Sequence, residues 1–426
     1  MTQPWRERLG LPDTTGQRAF LTAMAVDAVG SGAFFPFTFL YFTVTTDLSL
    51  TRIGLALTLA SLGSVPFGPW FGSLTDRYGA RPVSTFSNVL HAAGLVGYLV
   101  AQSFPVLLVT SLLFCIGDRA FWASYGTFVG EVAARGERAR WFGLLSSIRN
   151  FGLGLGGLAG GVLITTGGTT GPHAVVLVDA ASFAVCAWLL VKVRTRRAPG
   201  TRDASPGAWS IVLHDRGYLG LVAANVVLTT GLLVLGFLPV YVVEILGLPG
   251  WVAGALFTLN CALIVVLQTT AVRLSESRRR TRMLALAALL LAASCAVFLA
   301  ASWLPRGLAI GTVVVGCIVY TLGEIAYSPA ADSLAAEAAP EDLRGRYLSV
   351  YQLSWTTSVT VGPVLAGWLL DTGPVPLWTV FGAIVLTGGA AMLLAERGLP
   401  AHALRGGRQS TAAPVGAILT PGQGGP

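Results

Sequence analysis

The sequence predicts an all-α membrane protein with twelve transmembrane helices in two pseudo-symmetric six-helix bundles. Of its 426 residues, 54% are hydrophobic and only 11% are charged, whereas a soluble domain carries about 25% charged residues. A bilayer core about 30 Å thick is crossed by about 20 apolar residues in a helix. The alternating ten-residue strands of a membrane β-barrel do not occur in the sequence. The apolar runs lie at 19–43, 51–73, 83–102, 105–130, 142–165, 172–191, 217–243, 250–272, 283–303, 307–331, 347–370 and 376–395.

The basic residues lie almost entirely on one side of the predicted membrane. With the N-terminus inside, 24 of the 28 Lys and Arg residues lie in segments that would be cytoplasmic. Only Arg52 and Arg306 would lie outside, and Arg119 and Arg149 fall within helices. This bias follows the positive-inside rule and predicts a multi-pass plasma-membrane protein with both termini in the cytoplasm. The net charge of +8 therefore reflects topology and does not indicate nucleic-acid binding.

Polar segments divide the chain into five predicted parts. Residues 1–18 lack a signal-peptide pattern and are expected to form a cytoplasmic tail. Residues 19–191 form the first bundle, 192–216 a cytoplasmic linker, and 217–396 the second bundle. Residues 397–426 are rich in Gly, Pro and Ala, which predicts a disordered cytoplasmic tail.

The two bundles repeat one plan at an offset of 206 residues. The matching features are Gly117-Asp118 and Gly323-Glu324, Glu131 and Glu337, Arg138 with Arg140 and Arg344 with Arg346, and Gly156 with Gly161 and Gly362 with Gly367. Internal repeats of this kind are typical of secondary transporters, whose substrate site lies near the membrane midplane between the repeats. The repeat therefore favours transport by rocking of one half against the other.

Four ionisable residues of the first bundle lie at membrane depth: Asp27, Asp118, Arg119 and Arg149. Such residues cost several kcal/mol in a bilayer, so they are expected to face a cavity or a partner. Their charges sum to zero, which suits a mutually neutralising network. Asp118 and Arg119 are adjacent and so point about 100° apart around the helix. A purely structural salt-bridge network is the alternative interpretation.

The second bundle has an acid without a deep cation. Glu324 matches Asp118, but Trp355 stands where Arg149 is expected, and no Lys or Arg lies deep in this half. Glu324 must therefore find a partner across the interface or bind a proton. Glu324 and Asp27 are the leading candidates for proton coupling, while Asp179 is expected to be structural.

Polar and aromatic residues near the predicted midplane are candidates for the substrate cavity, because such pockets combine aromatic walls with few polar groups. They are Asn150, Asn225, Asn260, Gln268, Tyr320, Tyr327, Gln352 and Trp355. The five cysteines lie in predicted helices without metal-ligand spacing and are expected to be free thiols. No phosphate-binding loop or nucleophile–base pair is visible, so we expect neither an enzyme nor a cofactor, with the proton as coupling ion.

The loop between the second and third runs reads GSLTDRYGARP and carries three charges. Gly72 is expected to allow close helix packing, and Gly79 to adopt a positive φ. Asp76 can sit against the positive N-terminal end of another helix. The pattern Gly72-x-Leu74-x-Asp76-Arg77-x-Gly79-x-Arg81 resembles the signature loop of the major facilitator superfamily.

That resemblance implies the twelve-helix fold of the superfamily. It also implies that Asp76 contacts the start of the eleventh helix and so forms a conformational latch for the outward-open state. Arg77 and Arg81 are then expected to pair with nearby acids, Glu131 among them.

The fifth run resembles the antiporter motif of drug-exporting members of that superfamily. Its glycines are Gly143, Gly152, Gly156, Gly157, Gly160 and Gly161, with Gly157 in place of a proline. Gly152, Gly156 and Gly160 lie on one helix face where a partner backbone can approach closely, and in antiporters such a face is thought to seal the interface between the halves. Simple tight packing is the alternative. Asp27 with Pro36 resembles the first helix of twelve-helix drug/proton antiporters, and Arg119 resembles their fourth-helix arginine linked to proton transfer.

These features together predict a secondary active transporter for small amphipathic or hydrophobic molecules, working as a monomer in the lipid bilayer by proton-coupled efflux. Two alternatives stay open. The first is a proton-coupled importer of a nutrient or siderophore on the same fold, and the second is a membrane receptor or scaffold that does not transport.

Overall fold

The computed structural model describes residues 12–133, 137–193, 195, 208–276, 278–340 and 343–404, and long helices make up nearly all of this part. The all-α prediction is therefore confirmed. Residues 1–11 of the predicted N-terminal tail, 194 and 196–207 of the predicted linker, and 405–426 of the predicted C-terminal tail lie outside the described residues.

The first bundle is interrupted at two prolines. Pro36 lies in the 3-10 turn Phe35–Phe37, which interrupts the α-helix of the first run. Pro66 lies at a break in the second run, where the two parts meet at 44°. The helices of this half are α1 Arg18–Phe34, α2 Thr38–Thr45, α3 Leu50–Ser64, α4 Phe67–Tyr78, α5 Ala80–Tyr98, α6 Phe104–Val132, α7 Arg138–Thr166 and α8 Gly171–Val191.

A short helix, Ala208–His214, lies inside the predicted linker and precedes the second bundle. The seventh run is broken by the 3-10 turn Gly231–Leu233 and ends in the π-helical segment Tyr241–Ile245. The helices of this half are α9 Ala208–His214, α10 Arg216–Thr230, α11 Val234–Val240, α12 Gly250–Glu276, α13 Arg280–Ala301, α14 Arg306–Ala338, α15 Arg344–Thr372 and α16 Pro374–Ala395.

The number of membrane spans supports most of the predicted twelve. Among the described residues, ten segments are long and apolar enough to cross a membrane, or eleven when the bent pair of α3 and α4 counts as one. The third predicted run corresponds to α5, which lies outside this count and carries the polar residues Arg81, Asn88 and His91. The twelfth span stays a prediction.

Successive membrane-crossing segments, each formed by one helix or by two helices joined at a break, connect at alternate ends of the molecule. We call the upper end the one with the connections 46–49, 99–103, 167–170, 246–249 and 302–305. The lower end has the turn at Gly79 and the segments between α6 and α7, α8 and α10, α12 and α13, and α14 and α15. The lower end therefore carries the basic segments that the sequence predicts to be cytoplasmic.

The same hydrogen bond recurs in the two halves near the upper end. The hydroxyl of Tyr41 donates to the carbonyl of Tyr98 over 3.1 Å, and the hydroxyl of Tyr241 donates to the carbonyl of Phe298 over 2.5 Å. Both bonds join residues 57 positions apart, and each connects the first membrane-crossing segment of a half to its third. This pairing supports the internal repeat.

The first residues of the predicted disordered tail are ordered, which corrects that prediction for residues 397–404. Ala403 and Leu404 are buried at the lower end. Arg280 donates from Nη1 to the carbonyl of Ala403 over 2.6 Å and from its backbone N–H to the carbonyl of Leu404 over 2.9 Å. The same guanidinium pairs with Glu337 at 2.6 Å, so a buried cation holds the segment that follows the last helix in place.

Candidate functional site

The two halves pack against each other toward the upper end along two long helix pairs, and in a smaller contact of α11 with α2 and the turn Phe35–Phe37. The first pair is α7 and α12, which cross backbone to backbone. Gly161 lies so close to Gly250 and Gly254 that an added Cβ would sit 3.0 Å from their atoms. Gly157 packs on the Phe257 ring, and the hydroxyl of Thr258 donates to a backbone carbonyl of α7 over 2.7 Å.

The second pair is α3 and α15, and we call their hydrogen-bonded contact the α3–α15 seam. At its top the Asp371 carboxylate accepts from the N–H groups of Leu50 and Thr51, over 3.2 and 2.8 Å, and from the Thr51 hydroxyl over 2.5 Å. Leu50 begins α3, so this carboxylate caps a helix N-terminus of the other half. Further down, Val364 N–H donates to the Thr58 hydroxyl over 3.2 Å.

The lowest bond of the α3–α15 seam joins Ser61 to Thr360, whose hydroxyl oxygens are 2.9 Å apart. Both residues are buried. On the N-terminal side, Arg119 of α6 donates from Nε to the Ser64 hydroxyl over 3.1 Å and from Nη2 to the Ser61 hydroxyl over 3.5 Å. A cation at membrane depth is thus hydrogen-bonded to the residues that join the halves.

The predicted latch loop at the lower end is not engaged. Gly79 adopts φ of 86°, as predicted. Asp76 is exposed and makes no hydrogen bond or ion pair with any residue that the structure describes. The halves are joined toward the upper end in this state, and the predicted contact of Asp76 with the start of the eleventh helix stays a prediction.

Three expectations for this loop are wrong in this state. A Cβ at Gly72 would meet nothing within 4 Å, so that glycine does not serve close packing. Glu131 accepts from the Ala80 N–H over 3.1 Å and does not pair with an arginine. Arg81 donates to the carbonyl of Val193 over 3.3 Å, and Arg77 lies over the ring of Tyr78.

Asp118 and Arg149 are linked through a tryptophan. The Trp122 indole Nε1 donates to Asp118 Oδ1 over 3.1 Å, and the Arg149 guanidinium carbon lies 5.2 Å from the centre of the Trp122 ring, within reach of a cation–π attraction. Asp118 and Arg119 do point to different partners, because they are adjacent in a helix. Trp122 is 50% exposed and Arg149 is exposed as well.

Asp27 is half-buried on α1 and interacts electrostatically with Arg149. It makes no hydrogen bond with the described residues. A second acid lies behind it, because Asp179 of α8 is buried against Gly30, one turn along α1. Ser182 donates to Asp179 Oδ1 over 3.3 Å. The first half therefore holds three acids at membrane depth, where the sequence-based network counted two.

Glu324 is held by a neutral group in its own half. The Asn260 amide of α12 donates to Glu324 Oε2 over 2.7 Å and to the Thr321 hydroxyl over 3.1 Å. Among the residues that the structure describes, no cation pairs with this carboxyl, and its partner does not come from across the interface.

Three predicted cavity residues instead brace the second half. Asn225 is fully buried, donating to the Ser354 hydroxyl over 2.6 Å and accepting from the Tyr327 hydroxyl over 2.8 Å. Tyr320 donates to the carbonyl of Leu232 over 2.8 Å. Their polar atoms are used inside the bundle, so these residues are corrected from cavity to core.

The other cavity candidates are more open. Gln352 is exposed, while Trp355, Gln268 and Asn150 are half-buried. Asn150 donates to the carbonyl of Ser146 in its own helix over 3.0 Å.

The glycines of α7 face two ways. An added Cβ at Gly152 would lie 2.5 Å from that of Ala28, and side chains at Gly156 and Gly160 would overlap backbone oxygens of Val29 and Ala33. This face therefore packs on α1 of the same half, and the contact with the other half is made by Gly157 and Gly161. Gly143 meets nothing within 4 Å and takes no part in either contact.

Sequence reasoning missed Ser61, Ser64, Thr360, Asp371 and the bridging role of Trp122. Their spacing does not distinguish them from the other polar and aromatic residues of the predicted helices. Among the described residues, no group of three or more His, Cys, Asp or Glu side chains could hold a metal ion.

Comparison with known proteins bears on the same regions. The family model for the major facilitator superfamily matches residues 20–358. The chain is 29% identical over 371 residues to the multidrug resistance protein MdtH of Cronobacter sakazakii, covering 82% of this chain and 86% of that protein. It is 28% identical over 374 residues to MdtH of Yersinia enterocolitica, covering 83% and 87%.

Solved structures share the fold at low identity. The nucleoside transporter NupG aligns with a TM-score of 0.75 at 10% identity, over 88% of this chain and 98% of that one. A bacterial homologue of the human lysosomal transporter Spinster, in an inward-facing and unoccupied conformation, aligns with a TM-score of 0.69 at 15% identity, over 94% and 98%.

Proposed function

The chain belongs to the major facilitator superfamily of membrane transporters, and from that premise we propose that it exports small amphipathic or hydrophobic molecules in exchange for protons. Membership makes it a transporter and not an enzyme. The substrate class, the direction of transport and the coupling to protons are the proposed part.

The observation that carries the proposal is the contact between Glu324 and Asn260. A carboxyl held at 2.7 Å by a neutral amide, with no cation paired to it among the described residues, is expensive to keep ionised at membrane depth. Binding a proton removes that cost. Releasing the proton restores it, so the protonation state of Glu324 changes the energy of its surroundings.

The first half supplies a second set of charges that a proton can rearrange. Asp118 and Arg149 share Trp122, and Asp27 interacts with Arg149. Neutralising one of these acids leaves an arginine in need of another partner, which favours a different arrangement of the helices. Each proton that enters down a potential of 100 mV supplies about 2.3 kcal/mol for this change.

Two observations favour amphipathic or hydrophobic substrates and export. Trp122 and Leu353 are large apolar side chains that are 50% and 55% exposed; Leu353 lies on the same face of α15 as Thr360, two turns below it, so it faces the first half. In addition, the MdtH relatives are named multidrug resistance proteins.

The test is transport in inside-out membrane vesicles that contain the full chain. With the vesicle interior acidified, we expect a fluorescent quaternary ammonium dye, which has no titratable amine, to accumulate inside and to dissipate the pH gradient, and neither to happen in vesicles that lack the chain. Accumulation driven only by the opposite gradient would identify an importer. Failure of a broad compound set to move or to dissipate either gradient would identify a receptor or scaffold.

Glu324→Gln tests the proton site within that assay. We expect it to abolish uptake driven by the pH gradient while substrate exchange without a gradient continues. The matched control is Glu244→Gln, because Glu244 is an exposed acid at the upper end. If Glu324→Gln vesicles coupled uptake to the gradient as well as Glu244→Gln vesicles do, Glu324 would not be the proton site.

A further inference from the structure

We propose that Ser61 and Thr360 are positioning residues that transmit the state of Arg119 to the contact between the two halves. The proposal rests on alternating access, as the proposed function does. It concerns the conformational balance, however, which can be measured without substrate or proton gradient.

The hydrogen bonds of Ser61 run in one direction. A guanidinium has donors and no acceptor, so Arg119 Nη2 must donate to Ser61 Oγ, over 3.5 Å. The Ser61 hydrogen is then free to point at Thr360 Oγ1, 2.9 Å away. The chain therefore leads from a permanent cation in α6, through a hydroxyl in α3, to a hydroxyl in the other half.

Burial makes this chain energetically significant. Ser61 is 6% and Thr360 3% exposed, so water does not replace a bond that is lost. In such surroundings a charged donor polarises the hydroxyl it binds and strengthens the next bond. Arg119 is also held by Ser64 over 3.1 Å, and Ser64 donates to the Ser61 carbonyl over 2.7 Å, which fixes the guanidinium beside Ser61.

The position of Ser61 allows it to connect the intramembrane charges to the α3–α15 seam. The bonds above it join α3 to α15 directly, through Asp371 and Thr58, and involve no residue of α6. Ser61 alone among these seam residues bonds both to the other half and to an intramembrane charge. Arg119 interacts electrostatically with the adjacent Asp118, so a change at the charge network acts on the group that holds the seam.

A structural role for the hydroxyls predicts a different result from a relay. Arg119 and Thr360 make no hydrogen bond with each other, but both bond to Ser61. Substitutions at residues that share a partner have coupled effects, whereas substitutions at independent residues have additive ones. If Ser61 connects them, Arg119→Gln and Thr360→Val will be non-additive when Ser61 is present. They will become additive in the Ser61→Ala background.

The measurement is the ratio of lower-open to lower-closed molecules in the full-length protein in lipid nanodiscs. Spin labels on Ser73→Cys and Ala401→Cys, both exposed at the lower end and in different halves, report this ratio by their distance distribution once the five native cysteines have been replaced. We expect Ser61→Ala and Thr360→Val each to lower the ratio about two- to tenfold, the effect of one neutral hydrogen bond.

Two variants of α15 distinguish the hydroxyl from packing. Thr360→Ser keeps the hydroxyl and is expected to keep the wild-type ratio. Thr357→Val is the matched control, because the exposed Thr357 bonds only to the carbonyl of Leu353 in its own helix. The proposal would be overturned by an unchanged ratio in Thr360→Val, or by an equal change in Thr360→Ser or Thr357→Val. Additive effects of Arg119→Gln and Thr360→Val with Ser61 present would overturn it as well. A failure of proton-driven transport alone would count against the proposed function and leave this ratio as a separate result.

Discussion

Trp122 stands between Asp118, to which its indole donates a 3.1 Å hydrogen bond, and Arg149, whose guanidinium lies over its ring at 5.2 Å. An acid and a base at membrane depth are thus joined without a direct ion pair. Such a bridge holds two opposite charges apart and leaves each able to change partner as the helices move.

We expect Trp122→Phe to reduce transport, because it keeps an aromatic face for Arg149 and removes the donor to Asp118. A hydrogen bond to a charged group is worth about 1.5–3 kcal/mol, which sets an upper limit of about 10- to 150-fold on the loss. Trp122→Ala also removes the ring and should lower the transport rate further. Initial rates in vesicles, normalised to the amount of protein, measure both, and Trp303→Phe at an exposed upper position is the control. Equal rates in Trp122→Phe and Trp303→Phe would show that the indole donor is dispensable.

We expect Asp371→Asn to favour opening at the upper end, because the carboxylate caps the start of α3 with a charge as well as with hydrogen bonds. Asp371 is exposed, so the change in population should be modest, about two- to fivefold. Fluorescent labels on Asp47→Cys and Pro249→Cys, exposed in the upper connections of the two halves, measure it by energy transfer between single molecules. Glu244→Gln changes an acid at the same end outside the α3–α15 seam and should leave the energy-transfer efficiency unchanged. A similar change in that efficiency in both variants would contradict the capping role.

We expect Gly156→Ala to destabilise the protein, because the new methyl group overlaps the backbone of α1 at Val29. Overpacking of this kind costs about 1–3 kcal/mol. Gly143→Ala adds the same methyl group to the same helix where nothing lies within 4 Å, and alanine is the better helix former by about 1 kcal/mol. Thermal unfolding in detergent should therefore give a lower midpoint for Gly156→Ala and an unchanged or higher one for Gly143→Ala. Equal midpoints would show that α1 and α7 separate easily.

We expect Arg280→Met to release the segment 397–404 from the lower end. The Arg280 guanidinium binds both oxygens of Glu337 at 2.6 Å and the carbonyl of Ala403, and its loss leaves the Glu337 carboxylate without its cation. Limited proteolysis should then cut near 397–404 more quickly than in the wild type. Arg282→Met, at an exposed neighbouring arginine, should be cut at the wild-type rate. Protection that persists in Arg280→Met would mean that the buried Ala403 and Leu404 hold this segment without the arginine.

The sequence allowed prediction of the features that depend on local chemistry. The long apolar runs follow from hydropathy, and the positive φ at Gly79 follows from the absence of a Cβ. The repeat also followed, because both halves place acids and glycines at one constant offset.

The pairing of side chains between helices was not predictable. A serine in a membrane helix commonly bonds to a carbonyl of its own helix, as Ser73 does to Pro69, so nothing in the sequence separates Ser73 from Ser61. Tyr320 and Tyr327 look like cavity residues until helix rotation is known, and rotation depends on packing across the whole bundle. Gly72 and Gly143 match their motifs in spacing, yet no neighbouring backbone approaches them in this state.

The crossing of α7 and α12 has a mechanical consequence. At Gly161, Gly250 and Gly254 the two helices touch through bare backbone, while the Phe257 ring and the Thr258 hydroxyl make the side-chain contacts nearby. Contact of this kind lets one half roll over the other at this point without many rotamers having to reset. The resistance to motion therefore comes from the hydrogen bonds on both flanks, the Thr258 bond to the α7 backbone and the α3–α15 seam.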